Sequence, residues 1–167
     1  MKPMTTASLD TSKGRTSLDE LRSFLVLGVS LLVGTRDALM RPALVRCGGA
    51  RLGADGLLRI AIPIPEGEST LANIDATGVI ALTAARPTSY RTLQVKGRDA
   101  ARAEWKELGA VTRAHRSALV AEVVEVGLDG DQSGRSWSNR FVALSFTPQE
   151  IFDQTPGPTA GLSMLLC

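Results

Sequence analysis

The chain has 167 residues, 44% of them hydrophobic, which suits one domain with a real core and leaves too little for two. Nineteen Lys and Arg against seventeen Asp and Glu give a formal charge of +2, and no dense basic run is present to track a phosphate backbone, so nucleic acid is not an expected partner. Cys47 and Cys167 lie far apart, Cys-x-x-Cys does not occur and His115 is the single histidine, which argues against a metal centre or a disulfide scaffold.

Residues 1–16 are poor in apolar side chains and are expected to form a flexible arm ahead of a domain over 17–161, with 162–167 as a C-terminal tail. Ser17 and Glu20 have capping-box spacing, and Leu18, Leu21 and Leu25 recur at helical intervals, which predicts a short helix. The apolar run Phe24 to Gly34 is too short to span a membrane, so a cytoplasmic protein without membrane association is expected.

Runs rich in Val, Ile and Leu then predict strands over Val26–Thr35, Ala43–Leu52, Leu57–Ile64, Val79–Ala84 and Thr92–Glu104. Asp55-Gly56 is a turn dipeptide that joins antiparallel neighbours, and the spacing leaves no room for repeated crossover helices. Ser69–Ala76 predicts two helical turns with Leu71 and Ile74 inward, stopped by Gly78. A longer helix is predicted from Trp105 to Val126, its inward stripe being Leu108, Val111, His115, Leu119, Val123 and Val126. Asp129–Ser138 reads as a mobile loop with Trp137 as a lid candidate, followed by a sixth strand, Phe141–Thr147. Pro156 and Pro158 keep Gln154–Pro158 out of helix and strand. The fold class is therefore β with helices, a six-stranded antiparallel sheet closed into a barrel so that its edges are hidden.

Period-2 alternation places Leu93 and Val95 toward the core and Thr92, Gln94 and Lys96 on the opposite face. On the second run Leu44 and Arg46 share one face, Val45 and Cys47 the other, and Cys47 reads as a small buried hydrophobe. His115, on the apolar helical stripe, reads as a packed imidazole.

The stretch Pro87-Thr88-Ser89-Tyr90-Arg91-Thr92-Leu93-Gln94-Val95-Lys96-Gly97 resembles the flavin-side strand of the pyridoxamine-phosphate-oxidase-like split-barrel proteins. Gly34-Thr35-Arg36-Asp37, Arg41-Pro42, Leu71 to Ile74, and the run from Phe152 to Pro158 with Ala160-Gly161 follow in that family's order, so the similarity spans residues 20–161 or so. The resemblance implies a homodimeric split barrel with FMN at the interface, acting as an FMN-dependent oxidoreductase on a small-molecule substrate. Deazaflavin and haem are the alternative cofactors, and a non-catalytic carrier or sensor is the alternative role.

For cofactor contacts the resemblance nominates Gln94, whose amide can donate to and accept from the pyrimidine edge of the ring. Lys96 is nominated beside it for charge, Tyr90 for stacking, Thr92 on the same strand, and Arg91 and Arg46 for phosphate. No catalytic residue is assigned and no metal ligand is expected. The family's enzyme proper opens its short helix with Arg and Lys, which grip the flavin phosphate. This chain has Ser69 and Thr70 there, preceded by Glu66 and Glu68, so the hydroxyls and the helix N–H groups take the phosphate role in this reading.

Overall fold

A computed structural model of the chain describes residues 15–16, 18–130 and 138–166. Leu21, Phe24 and Leu25 recur at helical spacing and are the buried residues of α1 (Leu18–Leu25), while its expected cap, Ser17, lies outside the described residues. In α2 (Glu68–Thr77) Leu71 and Ile74 turn inward as expected, and Gly78 ends the helix in the left-handed region, φ 65°, donating its N–H to the Ile74 carbonyl.

The apolar runs are strands: β1 (Arg15–Thr16), β2 (Ser30–Arg36), β3 (Pro42–Arg46), β4 (Gly49–Leu52), β5 (Leu58–Pro63), β6 (Ile80–Ala85), β7 (Thr92–Gly97), β8 (Ala101–Arg102), β9 (Phe141–Phe146), β10 (Glu150–Asp153) and β11 (Leu162–Leu166). They form a seven-stranded sheet in the order β1-β11-β10-β7-β6-β2-β3 and a four-stranded sheet in the order β4-β5-β9-β8. Pairing is antiparallel except between β1 and β11. With α3 (Leu108–Glu125) the described residues carry three helices, a mixed β-plus-helix architecture.

Two predicted strands are each divided between the sheets. The second breaks at Cys47-Gly48, giving β3 to one sheet and β4 to the other, and the fifth breaks after Gly97, giving β7 and β8. Glycine permits the first bend: a Cβ on Gly48 would fall 2.2 Å from the Phe141 ring. One continuous core fills the space between the sheets, contributed by Leu31 and Val33 of β2, Ile60 and Ile62 of β5, Leu82 of β6, Leu93 and Val95 of β7, and Leu144 and Phe146 of β9.

Three expectations need correction. The first strand begins at Ser30 rather than Val26, because the chain turns at Gly28, φ 73°. β10 and β11 were not expected, since Glu150–Asp153 is four residues with an acid at each end, and Leu162–Leu166 follows a Pro- and Gly-rich loop. On α3 the buried residues are Val111, Thr112, His115, Leu119 and Glu122, so an acid takes the inward position expected of Val123, and Val126 is exposed. Trp137 and most of the loop predicted over Asp129–Ser138 lie outside the described residues, as do residues 1–14 of the expected arm.

Candidate functional site

The outer face of the seven-stranded sheet follows from alternation and register. Each central strand turns every second residue inward, so Leu93 and Val95, Ile80 and Leu82, Leu31 and Val33 are buried, and the intervening residues face out. Strand pairing aligns those outward residues in rows. One row runs Arg46, Leu32, Thr83, Gln94, Phe152; the next runs Leu44, Gly34, Ala81, Lys96, Glu150. The face is thus small and flat at its centre, at Gly34 and Ala81, with polar and charged groups along it and large apolar groups to the sides. Leu32 and Leu44 are 38% and 69% exposed there.

Gln94 donates from Nε2 to Thr83 Oγ1 at 3.2 Å, which anchors the amide to the neighbouring strand. The Lys96 ammonium lies 4.4 Å from the centre of the Phe152 ring. A groove of about 530 Å³ opens over this end of the sheet, with Gly34, Leu44 and Ala81 on its floor and Arg36, Lys96 and Arg98 contributing cations. At the bend between β3 and β4 a smaller cavity of about 190 Å³ brings Arg46 and Glu66 to one space with Cys47, Ser138 and Phe141. Burial pushes the Cys47 thiol well above its ordinary range, so it stays protonated.

The nominated residues divide by place. Gln94, Lys96, Thr92 and Arg46 share the outer face. Thr92 is tied at its end, donating from Oγ1 to the Tyr90 carbonyl at 3.0 Å and from N to Thr155 Oγ1 at 3.1 Å. Tyr90 sits in the β6–β7 turn, 71% exposed and at φ 58°. Arg91, expected to meet phosphate, stands 5.2 Å over the Phe24 ring of α1. Ser69 is exposed at the start of α2, whereas Thr70 is 1% exposed because it lies four residues before Ile74 on the inward stripe of the helix. A hydroxyl so placed cannot meet a ligand from solvent. α2 itself is tied to the end of β2, through Asn73 Nδ2 to Thr35 Oγ1 at 3.2 Å and Thr77 Oγ1 to the Arg36 carbonyl at 3.2 Å.

Sequence reasoning missed Thr83, Phe152 and Glu122. Alternation along β6 was enough to place Thr83, but Phe152 needed β10. Glu122, on α3 and 8% exposed, accepts on Oε1 from Arg86 Nε and Nη2 at 2.9 and 2.7 Å, and on Oε2 from Thr88 Oγ1 and N at 2.6 and 3.3 Å. These bonds, first those from Arg86, hold its carboxyl below the ordinary value against the opposing effect of burial. His115 is buried on the same helix, 6% exposed, and desolvation lowers its imidazole to about 4, so it is neutral at pH 7. Among the described residues no cluster of three metal-ligating side chains occurs, and no helix is long and apolar enough to cross a membrane.

No protein-family model matches the sequence, and no curated protein does. Solved structures do. HupZ of Group A Streptococcus is 16% identical with a TM-score of 0.53, over 86% of this chain and 98% of that one. HutZ, the haem storage protein from Vibrio cholerae, is 16% identical with a TM-score of 0.47, over 81% and 93%. A pyridoxamine 5′-phosphate oxidase-related, FMN binding protein from Nostoc punctiforme is 14% identical with a TM-score of 0.44, over 83% and 80%. The likeness to HupZ, along most of both chains, shows that the two share a fold.

Proposed function

We propose that this chain is an FMN-dependent oxidoreductase that acts as a homodimer joined through the outer face of the seven-stranded sheet. The observation that carries this reading is the row of Gln94 beside Thr83 and Phe152, with Lys96 one row on, over a floor of Gly34 and Ala81. A planar ring needs a flat floor, and small residues flanked by Leu32 and Leu44 provide it. Gln94 uses one amide hydrogen on Thr83, and its second N–H and its carbonyl oxygen suit a ring edge bearing both carbonyl and N–H groups. Lys96, held beside Phe152, would set a positive charge against the bound ring. Bound flavin supplies the hydride or electron transfer itself.

In this reading the six long runs of the sequence form one ring, β3 with β4 and β7 with β8 each counting as a single bent strand. A second copy covers the exposed Leu32 and Leu44 and closes the groove against water. Haem is the weaker alternative, because the single histidine, His115, is buried on α3 and presents no imidazole to this face. The rival of a cofactor-free or non-catalytic dimer draws on the start of α2, where Glu66 and Glu68 stand exposed beside Ser69.

The deciding experiment is a visible absorbance spectrum of the purified protein before and after incubation with FMN and gel filtration. Retained flavin absorbance is the expected result; a colourless protein after FMN loading sinks the oxidoreductase reading. Light scattering tests the dimer separately: Leu44→Glu is expected to halve the mass, and an unchanged mass rejects this face as the interface.

A further inference from the structure

We infer that Glu122 is a positioning residue for the ligand of the outer face, acting through the β6–β7 turn. The inference rests on the reading of that face as a flavin site. The turn begins where the face ends, since Ala85 and Thr92 are its last paired residues. It closes on itself through Arg86 N to the Arg91 carbonyl and Tyr90 N to the Arg86 carbonyl, both 2.9 Å. Tyr90 projects from it, 71% exposed and in the left-handed region at φ 58°, a backbone conformation that a non-glycine residue keeps only when its surroundings impose it.

Glu122 holds the turn from outside, at Arg86 and Thr88. All four bonds described for its carboxylate go to Arg86 and Thr88, and they bridge a helix to a turn more than thirty residues away in sequence. Its path is prepared: Gly28 at the α1–β2 junction leaves room for the stem, because a Cβ there would stand 2.4 Å from the Ala118 carbonyl oxygen and 3.0 Å from Glu122 Cγ. An apolar residue at 122 would serve packing equally well and would leave Arg86 without this carboxylate partner. The acid therefore ties the turn that carries Tyr90, at one end of the face, to the position of α3.

The test compares Glu122→Gln, Thr88→Val, Tyr90→Ala and the Glu122→Gln/Tyr90→Ala double variant. FMN affinity is read by fluorescence titration, and hydrogen exchange is read at residues 86–91. Glu122→Gln is expected to weaken FMN about tenfold and to speed exchange of the Tyr90 amide, with Thr88→Val doing the same to a smaller degree. The double variant is expected to bind no more weakly than Tyr90→Ala alone, since both act through one group. Faster exchange with unchanged affinity, or losses that multiply in the double variant, overturns the inference by leaving Glu122 a purely structural role. If the wild-type protein retains no FMN, the reading of the face has failed instead. Exchange then decides the anchoring alone: unchanged rates in Glu122→Gln refute it and faster rates uphold it.

Discussion

β5 and β7 are both six-residue strands in the interior of their sheets, yet they meet their surroundings differently. In β5 Leu58, Ile60, Ala61, Ile62 and Pro63 are all buried, and α3 packs on the neighbouring strand β4, where a Cβ on Gly49, the partner of Ala61, would come within 3.2 Å of Val111. In β7 only Leu93, Val95 and Gly97 are buried, and Thr92, Gln94 and Lys96 face outward, with none of the three described helices packed on the strand. A strand covered on both sides spends its whole sequence on stability. A strand covered on one side has alternate residues that stability does not constrain, and the polar groups of the candidate site occupy those positions.

Substitutions should separate the two strands cleanly. The largest effect is expected from Ile60→Ala in β5, which deletes fully buried methyl groups and should cost about 2–5 kcal/mol in urea unfolding without changing the affinity of the folded fraction for FMN. Next is the covering helix. His115 has its pKa lowered to about 4 in the fold, so below its ordinary value near 6.5 the unfolded chain takes up a proton that the native state refuses. Stability is therefore expected to fall as pH drops from 6.5 toward 4, by at most about 3 kcal/mol, and His115→Gln should remove that part of the pH dependence. Parallel wild-type and variant curves would show that the imidazole is not desolvated as described. The smallest change in stability is expected on the open face, where Gln94→Ala should shift unfolding by less than about 0.5 kcal/mol while weakening FMN about tenfold. A large loss of stability there would erase the distinction between the strands.

The same distinction governs what could be read from the sequence. Gln94 and Lys96 were legible as one face of their strand, and Leu44 and Arg46 as one face of theirs, because alternation depends only on strand identity, which Val- and Leu-rich runs make plain. The bend that divides β3 from β4 left a trace in Gly48-Gly49, but a glycine pair reads equally as a turn, and the clash it relieves comes from Phe141, far along the chain. Thr70 was misplaced because the resemblance set its role, whereas helical spacing from Ile74 already turned it inward. Glu122 was illegible: an acid in an apolar stripe reads as an interruption until Arg86 and Thr88 are seen to meet it. Long-range polar pairs of this kind leave no periodic signature.

The pairing of β5 with β9 has a consequence for biogenesis. Leu58 waits for Phe146 and Pro63 for Phe141, so during synthesis one edge of a strongly apolar strand stays bare until most of the chain has emerged. Contacts this distant in sequence place the protein among the slower folders, and the nascent chain carries an aggregation-prone edge that only its own late-arriving segment can seal.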